Sequence, residues 1–247
     1  RDFCLSRGLG DVYKRQYEEC YELALPSRES FYAQAAGQAR TDKIFDETAV
    51  VGVQEFASRL QAGLVPNFAR WADLVAGSEI PKEERGEVNA ALEDVVDYVF
   101  EIIQNSNFAQ EVHESFVDLA LGTAALRVDE GDALNPVLFS AVPLPQLYLD
   151  VGPDDRVDSV FRQRSVKASN IRIAYPKARL PSEVTELLAK GEDRYLAVIE
   201  ATYRLYERPG EERHKTCVVL PEFRAVIHEE DHTGTGSSPY IVFRWAK

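Results

Sequence analysis

The chain of 247 residues contains no methionine, two tryptophans and three cysteines. The cysteines stand at positions 4, 20 and 217. They are too few and too scattered for a disulfide scaffold or a zinc module, so a reducing compartment is expected, with Cys20 and Cys217 as buried structural thiols. Long apolar runs are lacking as well: charge or proline interrupts each one before the roughly 18 residues a membrane span needs, so no membrane partner is expected. No basic segment leads into an apolar core and a small-residue cleavage site, so no export signal is read. Basic residues are scarce, with 28 Lys and Arg against 41 Asp and Glu for a net charge of −13. That balance argues against tight, sequence-independent nucleic-acid binding, which needs concentrated cations to neutralise phosphates. The chain also lacks a G-x-x-x-x-G-K-[ST] phosphate loop, a G-x-S-x-G nucleophile elbow and a glycine-rich dinucleotide loop. No enzyme, cofactor or metal site is therefore expected.

What remains is ordinary globular usage, 45% hydrophobic and 28% charged. Without methionine the chain has no start residue and is expected to be a piece of a longer protein. Asp11–Gln16 back-translates as GAT GTG TAT AAG AGA CAG, which resembles a transposon mosaic end used in sequencing libraries, and Arg1–Gly10 shows no helical or strand periodicity. Residues 1–16 are accordingly expected to be foreign, adaptor-derived sequence.

From Tyr17 onward the pattern is helical, then strand-like. Tyr17–Leu25 reads as a helix stopped by Pro26. In Ala49–Val65, which Thr48 can cap, Val53, Phe56, Leu60 and Leu64 form one expected buried stripe. A short helix carrying Trp71 is expected over Phe68–Ala76. A longer one begins near Pro81, with Val88, Leu92, Val95, Val99, Ile102 and Ile103 as its apolar face and Glu93, Asp94, Asp97 and Glu101 opposite. Asn105-Ser106-Asn107 caps a last helix, Phe108–Leu121, whose Phe108, Val112, Phe116 and Leu119 face inward before Gly122 ends it.

Beyond Gly122 the texture is period-two and β-branched. Ala124–Asp129 with Val137–Val142 reads as a hairpin, and Leu147–Val151 with Val157–Val166 as another around Gly152-Pro153-Asp154-Asp155. Ser182–Lys190 is a short helix. Leu196–Tyr206, Lys215–Leu220, Phe223–His228 and Tyr240–Trp245 are strands. Helices first and strands afterwards define an α+β fold, divided as a helical segment over 17–122 and a strand-rich one over 123–247.

One catalytic pattern occurs. His228-Glu229-Glu230-Asp231-His232 satisfies H-E-x-x-H, which on a helix sets two histidines one turn apart around zinc. A zinc-dependent hydrolase is the alternative function this segment offers. Its context opposes it, because a strand precedes it and the loop 233–239 follows, so the three acids are expected at a hairpin tip. His113, beside Glu111 and Glu114, reads as a surface or interface histidine, and His214 as part of a charged turn. The acidic face of 83–104 is expected either in solvent or against a neighbouring subunit.

A set of segments carries a resemblance. Phe45-Asp46-Glu47 through Leu64, Asn105-Ser106-Asn107-Phe108 leading to His113–Leu119 and Gly122-Thr123-Ala124, Phe139–Leu144, Leu147–Asp150 and Pro239–Trp245 together resemble the portal, or head-to-tail connector, of short-tailed, podovirus-type phages. The resemblance runs from about Tyr17 to Lys247. It implies the outer wing of a portal subunit, with stem, clip and crown expected beyond Lys247. It further implies a homo-oligomeric ring, expected to hold twelve copies, at one vertex of the capsid. Terminase, capsid and tail proteins would be its partners, and double-stranded DNA would pass through it during packaging and ejection. The expected location is the virion, after assembly in the host cytoplasm.

Overall fold

The computed structural model describes residues 3–28, 30–31, 44–206 and 211–245, with side chains from Lys14 onward. It divides into two compact units, Arg1–Pro145 with Phe243–Lys247, and Gln146–Val242. Helices lead and two antiparallel sheets follow, which is the α+β arrangement expected.

In the first unit α1 spans Phe3–Ala24, so the backbone is helical through residues 3–16 as well as over Tyr17–Ala24. Helix α2 is Thr48–Leu64, α3 is Arg85–Asn105 and α4 is Phe108–Leu119. Thr48 does not cap α2: its own N–H donates to Asp46 Oδ1 at 2.6 Å, so the capping carboxylate stands two residues earlier. These hydrogen bonds hold the Asp46 carboxyl below its ordinary range. The buried residues of α2 are Val53 and Ala57, with Phe56 and Leu60 half-buried and Leu64 exposed at the end of the helix.

No helix forms over 68–76. Side-chain packing decides that segment. Trp71 sets its ring edge-on to Phe100 with centroids 5.2 Å apart, and stacks on Phe108 at 6.0 Å. Arg70 bridges to Asp73 at 2.6 Å and to Asp97 at 2.9 Å. Trp71→Ala is expected to destabilise the chain by about 2–3 kcal/mol, somewhat below a full core deletion because the indole is 39% exposed; the urea midpoint checks it.

Pro81 opens a turn in place of the first turn of α3: Glu84 and Arg85 donate their N–H groups to its carbonyl, and the helix begins at Arg85. The buried line of α3 is Val96 and Phe100, with Leu92 and Ile103 half-buried, rather than the line through Val95 and Val99. Helix α4 is the core of the unit, burying Val112, Phe116, Val117 and Leu119. Asn107 precedes it and acts as a surrogate strand residue: its amide donates to the Phe139 carbonyl at 2.7 Å and accepts from the Phe139 N–H at 3.0 Å. Gly122 ends the helical run at φ +124°, where a side chain is strained.

Strands β1 (Thr123–Glu130) and β2 (Val137–Val142) form the expected hairpin, in register from Ala125↔Val142 to Glu130↔Val137. In the second unit β3 is Leu147–Val151, β4 Val157–Lys167, α5 Ala168–Ala174, α6 Ser182–Ala189, β5 Tyr195–Arg204, β6 Arg213–Leu220 and β7 Ala225–Thr233. The last strand, β8, is Tyr240–Arg244, and the three-stranded sheet has the order β2-β1-β8. The five-stranded sheet is a meander in sequence order, β3-β4-β5-β6-β7. Helix α5 has no counterpart in the sequence reading. Its short run ASNIRIA places only Ala168 and Ile171 in the core, too little periodicity to stand out.

Candidate functional site

Strand alternation explains which polar groups the second unit buries. On β5 the buried positions are Leu196, Val198, Glu200 and Thr202; on β6 they are His214, Thr216, Val218 and Leu220. One end of this face is apolar and joins Ala168, Ile171, Tyr175 and Val184 in a core beneath α5 and α6. The other end is a polar network. Tyr175 and Tyr240 donate their hydroxyls to the two oxygens of Glu200 at 2.8 and 2.6 Å, and Arg164 donates to the Tyr175 oxygen at 2.9 Å. Burial and the neighbouring Glu200 push the Tyr175 phenol up, which keeps it a donor. Thr202 and Thr216 face each other across the sheet with hydroxyls 2.7 Å apart, and His232 Nε2 lies 3.0 Å from Thr216 Oγ1. His214 is in β6 rather than a turn. It is buried with Nδ1 2.9 Å from Ser237 Oγ, and burial lowers its pKa.

The first unit holds a second polar knot. Asp118 on α4 is 2% exposed and accepts from the Tyr21 hydroxyl of α1 at 2.9 Å. Arg28 approaches it at 3.8 Å while pairing with Glu114 at 2.6 Å. Burial raises the Asp118 pKa, against the pull of Arg28 and the hydrogen bonds from Tyr21 and Leu144. Glu18, one turn before Tyr21, is buried and accepts from Ser30 Oγ at 2.6 Å and the Phe31 N–H at 2.7 Å. These groups tie the end of α1 to α4. Both networks therefore hold together the elements of their own unit.

The H-E-x-x-H segment lies wholly within strand β7, not at a hairpin tip. Two strand residues four apart are about 13 Å distant along the backbone, against about 6 Å on a helix, so the zinc geometry is absent. His232 contacts Thr216, His228 lies 3.7 Å from Glu230, and Glu229 pairs with Lys215 at 3.0 Å. Among the described residues no group of three or more His, Cys, Asp and Glu could hold a metal ion. His113 is half-buried with Nδ1 3.0 Å from Gln61 Oε1. Both expected buried thiols differ: Cys20 is exposed on α1, and Cys217 is partly exposed, 3.5 Å from Glu229. On amphipathic elements the side occupied by a small residue depends on what packs there, which composition does not reveal. Among the described residues no helix is long and apolar enough to cross a membrane.

The surface offers more than the interior. Helix α3 buries two side chains of its 21 residues. It exposes Val95 (49%), Tyr98 (65%) and Val99 (43%) beside Asp94 and Glu101. Three exposed apolar side chains thus lie close together on an acidic helix. Below its C-terminal end a cleft of about 150 Å³ is lined by Pro66, Phe68, Trp71, Phe100 and Phe108, with Phe68 95% exposed. Residues 10–247 match the family described as bacteriophage head to tail connecting protein, and the chain belongs to that family. It is thus a phage portal or connector protein, a structural component of the virion that joins head to tail. A comparison with curated proteins gave no match.

Proposed function

We propose that this chain is the wing of a portal subunit whose copies close into a ring, twelve in number, at one capsid vertex. Terminase docks on that ring during packaging, tail proteins follow, and double-stranded DNA passes through its centre in both directions. The observation that carries this reading is the family match across residues 10–247. The charge agrees with it: a net −13 suits a conduit along which DNA slides, because each neutralised phosphate would add affinity and drag. A closed ring needs two different patches on each copy, one meeting the other on the next. Electron microscopy of the complete gene product is expected to show closed rings with a central channel. Dispersed monomers at micromolar concentration would contradict the proposal.

A further inference from the structure

Two surfaces on this chain are complementary in charge, and they lie on different units. The first is the outer face of α3. Ala91, Val95, Tyr98 and Ile102 recur at intervals of four, three and four, which aligns them in one strip along the helix. Asp94 and Glu101, four residues before Tyr98 and three after it, stand beside that strip, both exposed. Among the described residues neither has an ionic partner, whereas Asp97 is already held by Arg70.

The second surface is basic in an acidic protein. Residues 167–179 contain Lys167, Arg172, Lys177 and Arg179 and no acid. Where this segment leaves α5 it runs against β7, and the register of β6 and β7 shifts between Val218 and Val219, bulging β7 near Ile227. The Ile227 carbonyl then accepts the Arg179 N–H at 2.7 Å, which fixes the basic loop beside the strand. Between them lies an open depression of about 360 Å³, walled by Lys177 and Arg179 with Val226, His228 and Glu229. Val226 is 53% exposed and supplies an apolar surface there. Glu229 is already engaged by Lys215, so the net charge at the rim is positive.

We infer that Tyr98 on α3 of one copy seats in the Lys177–Arg179 depression of the neighbouring copy, with Asp94 and Glu101 meeting the two cations. The inference rests on the ring reading above and names the contact that makes the ring. A phenol ring between Lys and Arg gains cation–π attraction, and an acid on either turn of the helix matches a cation on either wall. Pairing α3 with a second α3 would instead set acids against acids, so this face selects a different patch. Because the two patches differ, each contact leaves one of each kind free, and addition continues from copy to copy, as the ring reading above requires.

The test uses the complete gene product with Cys20, Cys217 and any cysteine it carries outside residues 17–247 changed to Ser as background. Tyr98→Cys combined with Val226→Cys is expected to give, on mild oxidation, a ladder of covalent multimers that neither cysteine gives alone. Asp94→Lys with Glu101→Lys, or Lys177→Glu with Arg179→Glu, is expected to lower the ring fraction roughly tenfold at about 0.15 M salt, and all four together to restore it. Rings that persist in both half-reversed variants, with no ladder from the cysteine pair, overturn this contact and leave ring formation standing. Unmodified protein that stays monomeric under the electron microscope overturns ring formation, and this contact with it.

Discussion

Glu200→Ala is expected to destabilise the chain by about 3–5 kcal/mol, the range for removing one partner from a buried, hydrogen-bonded charge. The carboxylate is 1% exposed and accepts both the Tyr175 and the Tyr240 hydroxyl. Truncation leaves two phenols without their acceptor inside the unit and leaves the Arg164 guanidinium without the charge it faces through Tyr175. Glu200→Gln keeps the shape and one acceptor oxygen, so about half the loss is expected. Urea unfolding followed by tryptophan fluorescence and far-ultraviolet circular dichroism measures both. A loss below about 1 kcal/mol for the alanine variant would show that water replaces the carboxylate without strain.

The second large effect is expected at Asp118. Asp118→Ala removes the acceptor of the buried Tyr21 hydroxyl and of the Leu144 N–H, and about 2–4 kcal/mol of stability with them. The pH dependence has a definite sign. Burial raises the folded-state pKa of Asp118, so the folded chain holds a proton that the unfolded chain releases. The stability this gives is complete below the ordinary aspartate range, near pH 4, and is lost as pH rises through the raised folded value. Asp118→Asn removes the titration. Its stability relative to the unaltered chain is therefore expected to improve as pH rises from about 4. His214 acts oppositely, since its lowered pKa takes stability away as pH falls below the ordinary histidine range near 6.5. Comparing the Asp118→Asn variant with the unaltered chain at each pH cancels that contribution. A flat difference between the two from about pH 4 to about pH 8 would refute the assignment.

Both sites escaped the sequence reading, for different reasons. Glu200 had a signal: in Leu196-Ala-Val198-Ile-Glu200-Ala-Thr202 the glutamate is in phase with the buried positions, and a charge at such a position marks a buried polar network. Asp118 had none. Its burial goes with the long-range hydrogen bond from Tyr21 of α1, a pairing that separates Tyr21 and Asp118 by 97 residues. The same holds for α3, where a wide run of apolar residues let two faces compete. The buried face runs through Val96 and Phe100, with Phe100 against Trp71, which itself stacks on Phe108, and it leaves Val95 and Val99 outside.

What the order of residues determined unaided was local. Helical spacing and then period-two alternation are properties of neighbours three, four or two apart, and from them came the α+β class, both hairpins and the boundary at Gly122. The acidic balance and the missing catalytic loops are compositional and needed no coordinates. Tertiary structure decided what depends on distant partners. It left the expected helix at 68–76 unformed, with Trp71 set against two aromatic rings, Phe100 and Phe108. It laid His228–His232 along a strand at the sheet edge, where β6 supplies the ladder hydrogen bonds. It also brought Lys177 and Arg179 beside Val226 through one bulge, making a surface that no stretch of sequence contains.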